Sequence, residues 1–287
     1  MFYSKYWMIL MVVKMRADKP KRIEIGDVLQ TNGGDTVTVL ENNRWDNIVV
    51  EFNDEHKHRV TTRSDHLRNG MVKNPYTPSV YCVGYIGVGK YLVSDGGKLT
   101  PMYHTWAKML QRCYDPKYHK KRPTYIGCTV CPEWHNFQIF TEWCSTQPNS
   151  YTFGFALDKD LIVFGNKVYS PDTCSFVPHQ INSLLTDCAA IRGDLPQGVT
   201  LRVRGGKYQV NLHIDGKPLY LGLFETVSEA ATAYSKAKTE NVHNQSDTWK
   251  DSLHPIVYTN LKNFDFDEYR TRVSEELKPL DKEGNDQ

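Results

Sequence analysis

Apolar and polar residues alternate strictly through residues 207–214. Tyr208, Val210, Leu212 and Ile214 fall on one side, and Lys207, Gln209, Asn211 and His213 on the other. That period of two is the signature of a strand with one buried face. Just upstream, Val199, Leu201 and Val203 alternate with Thr200, Arg202 and Arg204, and Gly205-Gly206 forms a tight-hairpin dipeptide between the two runs. Asp215-Gly216 is a second such dipeptide and leads into a third strand over 217–224. Thr226 and Glu229 then make a capping box, and Ala230, Ala231, Ala233, Tyr234 and Ala237 give the following helix a small, smooth stripe. The pattern predicts a three-stranded antiparallel sheet with one face under a helix. Its open face carries Thr200, Arg202, Arg204, Lys207, Gln209, Asn211 and His213, with no acid in the row. Solvated sheet faces are polar in general, but ordinary solvation does not select against carboxylates. A β-ribbon of this width fits the major groove of DNA, where Arg suits guanine edges and phosphates and Asn or Gln suits adenine edges.

Upstream patterns divide the rest of the chain. Residues 21–76 alternate over 23–52 and carry turn signals at Asn32-Gly33-Gly34 and Asn42-Asn43, which predicts a small β-barrel of five strands. His56 and His58 are spaced as one face of a strand and read as solvated side chains. Residues 77–98 read as a linker, because Gly84, Gly87 and Gly89 neither follow a nucleotide-binding pattern nor open a helix. A middle domain over 99–190 starts with a helix whose stripe is Trp106, Met109, Leu110 and Cys113. A basic loop, a short strand at 128–131 and a second helix burying Trp134, Phe137, Ile139, Phe140 and Trp143 follow. A hairpin turning near Gly165-Asn166 and a last helix with Pro178 in its first turn complete it. The ribbon domain occupies 195–243. An acidic tail fills 244–287, partly helical over 267–277 and disordered in its last residues.

Composition narrows the function classes. The net charge is only +2 over 287 residues, so any footprint on a polyanion is local. Cations cluster at Lys117, Lys120, Lys121 and Arg122, a set suited to phosphates. The seven cysteines are odd in number and scattered, which argues for a reducing compartment and against a disulfide framework. The apolar run at 6–13 is too short to span a bilayer. It reads either as an extra strand within an uncertain extension over 1–20, or as translation assigned too far upstream of Met11 or Met15. Cys128 and Cys131 have the spacing of half a zinc site, but no second ligand pair matches, so they read as small buried hydrophobes and no zinc is expected.

Two stretches resemble known families. The sequence GVTLRVRGGKYQVNLHIDGKPLYLGLFETVSEAATAYSKAK resembles the APETALA/ethylene-response-factor type of DNA-binding domain, with Tyr208 standing where that family usually has Trp. The resemblance implies that the sheet face contacts the major groove. Residues 103–185, through YHTWAKMLQRCY, PTYIGCTVCPEWHNFQIFTEW and LDKDLIVFGNKVYSPDTCSFVPHQIN, resemble the HNH-type (ββα-metal) homing-endonuclease-like proteins of tailed bacteriophages, several of which carry such a second domain. An active core of that family has Asp-His at the end of its first hairpin strand. Here Asp158 matches the Asp, Lys159 replaces the His, and Asp172 lies near the position of the supporting Asn. The resemblance implies catalytic positions Asp158, Lys159 and Asp172, a Mg²⁺ held by Asp158 and Asp172 with Asp160 beside them, and a host-cell cytoplasmic location. Lys159 is a poor general base, since flanking Asp158 and Asp160 favour its charged form. It remains suited to neutralising a phosphate electrostatically. His104, His119, His135 and His179 are spare imidazoles, and the carboxylates serve equally well as hairpin-end and helix-cap groups.

The expected fold is α+β: an N-terminal small β-barrel, a central degenerate ββα core and a C-terminal three-stranded sheet on one helix. The expected function is a phage DNA-binding protein on an HNH scaffold with its cleavage impaired by Lys159, and double-stranded DNA is its partner. The alternatives are an active Mg²⁺-dependent endonuclease and a factor that binds a host protein. No membrane partner is expected.

Overall fold

The computed structural model describes residues 22–185, 194–214 and 216–276. The N-terminal apolar run, Cys188, Asp215 of the second hairpin and the final KEGNDQ lie outside them. The chain is α+β, with several small sheets, and divides into two compact units at Thr77/Pro78.

The first unit is an antiparallel meander of β1 (Val28–Gln30), β2 (Thr36–Arg44), β3 (Asn47–Phe52) and β4 (Arg59–Thr62), in that spatial order. It is an open sheet and not the expected five-stranded closed barrel. Among the described residues β1 and β4 do not pair, and the short helix α1 (Ser64–Arg68) inserts Leu67 where a fifth strand was expected. Strands of three and four residues leave too little edge to close a barrel. Val37, Val39, Ile48, Val50, Phe52, Leu67 and Val72 form the core. The second hairpin turns at Trp45-Asp46 and not at Asn42-Asn43. Arg44 pairs with Asn47 across the turn, and its guanidinium donates twice to Asp46 at 2.6 Å. His56 is exposed, as expected, and stacks on Tyr76 at 3.9 Å between ring centroids.

The second unit carries two adjoining cores. The first is built by α2 (Pro101–Tyr114), α4 (Phe137–Thr146) and the strands between and after them. Trp106, Met109, Leu110, Trp134, Phe137 and Phe140 are buried in it. The expected linker over 77–98 is part of this core. Val80, Val83, Ile86, Tyr91 and Val93 pack on it, and β5 (Ser94–Asp95) pairs with β6 (Lys98–Leu99). Its glycines allow close approach: a Cβ on Gly84 would lie 2.3 Å from Leu110 Cδ1 and 2.9 Å from the Trp106 ring. Gln138 clamps the same segment, accepting from the Tyr91 N–H and donating to the Tyr91 carbonyl, each at 2.9 Å. Gln138 is therefore buried while Ile139, expected inside, is exposed.

The short helix α3 (Pro116–Lys121) follows α2, and β7 (Thr129–Val130) follows α3. β8 (Phe155–Asp158) pairs antiparallel with β10 (Ser175–Pro178), and α5 (His179–Leu184) follows, giving the order ββα. The expected hairpin turn at Gly165-Asn166 does not join the two strands. The segment between them loops out and runs parallel to β7 through β9 (Val168–Tyr169). Thr129 and Val130 there complete a ladder that sequence-local patterns do not reveal.

β11 (Val199–Leu201), β12 (Tyr208–Ile214) and β13 (Lys217–Phe224) form the three-stranded antiparallel sheet. The long helix α6 (Val227–Thr248) lies on one face, and both halves of its capping box, Thr226 and Glu229, are in place. The acidic segment expected as a tail is folded. Helices α7 (Pro255–Lys262) and α8 (Phe266–Glu276) bury Val257, Leu261, Phe264 and Phe266 in the same core as Val210, Leu212 and Val242. Leu161, Val177, Ile181 and Leu184 enter that core as well, so the ββα and ribbon parts are packed as one body. Asn260 binds the loop after β8 by donating to the Leu161 and Ile162 carbonyls at 2.9 Å. No helix among the described residues is long and apolar enough to cross a membrane.

Candidate nucleic-acid interface

The side of the sheet away from α6 is set by strand register. Gln209 stands between Thr200 and Leu223, Asn211 beside Tyr220, and His213 beside Pro218. A bulge between Val210 and Asn211 skips Leu221 and brings Tyr220 into the row. The sequence pattern missed Tyr220 and Leu223 for this reason: strict alternation through β13 breaks at the bulge. Gly222 inside the strand pattern was the available signal, and its φ is 135° in the structure. The row is thus a band of hydrogen-bonding side chains beside an exposed aromatic and an exposed leucine.

Arg202 and Arg204 were expected on the strand, but β11 ends at Leu201. Both arginines occupy the hairpin tip, where Gly205 and Gly206 take left-handed φ values of 94° and 63°. The backbone N–H of Arg202 donates to the Lys207 carbonyl at 2.9 Å and closes the loop. Val203 is 96% exposed between them. Neither guanidinium meets a carboxylate among the described residues. Lys207 does: its ammonium pairs with Glu225 at 2.5 Å, and that carboxylate raises its pKa. The expectation of an acid-free surface fails at this point, because Glu225 follows β13 and the register returns it to Lys207.

A second electropositive surface lies on and after α3. Lys117, Lys120, Lys121 and Arg122 are all exposed and make no ion pair among the described residues. Asp115 caps α3 by accepting from the Lys117 N–H at 2.9 Å. Beneath them Arg112, which sequence patterns did not single out, places its guanidinium 5.7 Å from the Tyr125 ring centroid. Burial opposes its charge, but Tyr169 and Tyr125 more than compensate and its pKa is raised.

The residues matched to a nuclease centre lie at the end of β8 and in the turn before β10. Asp158 ends β8, and its Oδ1 accepts from the backbone N–H groups of Asp160 and Leu161, both at 2.8 Å. Burial, with the Asp160 charge adding to it, pushes its pKa up to about 6. Lys159 is only 6% exposed. Its ammonium donates to Asp160 and, at 2.7 Å, to the Asn166 carbonyl. Burial opposes that charge, yet Asp160 prevails and the pKa is raised, which removes Lys159 as a base near neutral pH. Asp172 is exposed in the turn before β10. No three His, Cys, Asp or Glu side chains among the described residues are gathered at metal-binding spacing.

Of the spare imidazoles, His119 bonds the Arg112 carbonyl at 2.8 Å and His135 meets the Tyr114 hydroxyl at 3.3 Å. His104 and His179 are exposed. Cys113, Cys128 and Cys174 are buried thiols whose pKa values burial raises, to about 12 for Cys113 and Cys174, which keeps them protonated.

Comparison with family models, curated proteins and solved structures finds no match to this chain.

Proposed function

We propose that the protein binds double-stranded DNA, with the open face of β11–β12–β13 in the major groove and the ββα part acting as scaffold, not as a hydrolytic centre. The observation that carries this reading is the register itself. It aligns Thr200, Gln209, Asn211 and His213 in one band, the first and last exposed and the two amides half-buried, capped by two arginines that no described carboxylate neutralises. Gln209 and Asn211 present paired donors and acceptors of the kind that read adenine edges. Arg202 and Arg204 supply backbone or guanine contacts, Tyr220 and Leu223 offer apolar contact to thymine methyls, and the α3 cations hold phosphates. The resemblance to APETALA/ethylene-response-factor domains and to phage HNH proteins supports the same reading.

Fluorescence anisotropy of duplex and single-stranded oligonucleotides at two salt concentrations tests it. Duplex binding is expected, weakening steeply with salt. The double change Asn211→Ala with Gln209→Ala should lower discrimination between duplex sequences by about 1–3 kcal/mol per lost base contact, with little loss of non-specific affinity. Binding with a flat salt profile would refute the proposal. Supercoiled DNA incubated with the protein and Mg²⁺ is expected to remain intact. Metal-dependent nicking that disappears in Asp158→Ala would instead establish an endonuclease.

A further inference from the structure

A cleft of about 530 Å³ opens between α5, the end of β12 and the middle of α6. Its walls include Lys238, Asn241 and Gln245 from α6, His179 and Gln180 from α5, and His213 at its rim. Lys238 is 7% exposed and Asn241 is also 7% exposed. Among the described residues Lys238 has no hydrogen-bond or ion-pair partner, and burial alone lowers its pKa. Among the described residues no carboxylate lines the cleft.

A buried lysine without a partner is costly, because desolvation is not repaid by any neighbouring charge. Packing does not require it: a methionine fills the same volume. The other polar groups in the described walls are amides, imidazoles and the Ser183 hydroxyl, which can donate hydrogen bonds without cancelling a cation. A cation set among donors, with no ion-pair partner among the described residues, is complementary to an oxyanion and not to a metal. Leu184 and Ile214 add apolar wall, and the volume falls within the range that holds a small organic ligand.

We propose that this cleft binds a phosphate group, with Lys238 as its counter-charge and Asn241, Gln245 and His179 as hydrogen-bond donors. The phosphate belongs either to a small phosphorylated molecule or to the backbone of a nucleic acid that reaches the cleft past His213. The assignment does not depend on DNA binding by the sheet face.

Thermal unfolding of the full chain in inorganic phosphate, against chloride at matched ionic strength, is the primary test. Phosphate at about ten times its Kd should raise the wild-type Tm by roughly 2–4 °C over chloride. Lys238→Met should be at least as stable as wild type in chloride and show no phosphate shift. An equal shift in Lys238→Met, or none in wild type, overturns the proposal. Should Lys238→Met fail to fold, His179→Ala with Gln245→Ala serves in its place, and an undiminished phosphate shift there overturns the assignment equally. Reductive methylation of Lys238, read by peptide mass spectrometry, separates the two sources. Protection by micromolar duplex points to backbone phosphate, whereas protection by inorganic phosphate but not by duplex points to a small phosphorylated ligand. The phosphate arms contain no DNA, so their outcome stands apart from that of the oligonucleotide measurements.

Discussion

Asp158 carries two opposed demands on one side chain. Its Oδ1 accepts two backbone N–H groups, which favours a carboxylate, yet burial and the neighbouring Asp160 charge raise its pKa from 3.8 to about 6. The folded chain therefore binds more protons here than the unfolded chain between about pH 4 and 6. The resulting stabilisation is complete below pH 4 and is lost as pH rises through 6, with a span of roughly 3 kcal/mol. Asp158→Asn keeps the acceptor and removes the charge. It should be more stable than wild type at pH 7.5, by about 1–2 kcal/mol, with the difference vanishing near pH 4. Urea unfolding of both proteins across that range checks this, and parallel pH profiles would refute it. Lys159 predicts the reverse sign. Its ammonium satisfies the Asn166 carbonyl from a nearly buried position, so Lys159→Met should cost about 1–3 kcal/mol by the same measurement.

At the level of elements, glycines of similar sequence context do different things. Gly84 lies against Trp106 and Leu110, and its Cβ would meet both within 3 Å. Gly84→Ala should cost about 1–3 kcal/mol through overpacking. Gly96, in the β5–β6 turn, has φ of 53° and open space around it, so Gly96→Ala should cost about 1 kcal/mol, from backbone strain alone. Chemical denaturation of the two variants distinguishes a packed segment from a linker, for which both costs would be small. This contrast shows what the sequence could tell. Elements whose signals are local were legible: the alternation of β12, the stripe of α2 and the capping box of α6 each lie within a few residues. Features made by distant pairing were not. The ladder of β7 with β9, the close approach at Gly84 and the return of Glu225 to Lys207 depend on partners that no short window contains. The interface was legible in part for the same reason. Thr200, Gln209, Asn211 and His213 follow from alternation, whereas a bulge breaks the alternation between Leu223 and Tyr220, which share the row.

On the scale of the whole molecule, charge is arranged locally, not globally. A net +2 gives the chain little general attraction for a polyanion, so salt dependence must come from the clusters. Arg202 and Arg204 at the hairpin tip and Lys117, Lys120, Lys121 and Arg122 at α3 belong to the same compact unit. Each phosphate that a cation neutralises contributes about 0.9 to the slope of log K against log salt. If one duplex engages both clusters, six cations set a slope of magnitude about 5. Replacing the two tip arginines with Ala should lower it by about 2, and replacing the four α3 cations by about 3–4. The two losses should add within one titration series. A tip variant whose slope is unchanged would place the arginines off the backbone. An α3 variant whose slope is unchanged would confine the DNA contact to the ribbon, leaving those four cations facing solvent or another partner. Anisotropy titrations at four salt concentrations, with the same duplex for all variants, resolve these outcomes because each predicts a different pair of slopes from the same molecule.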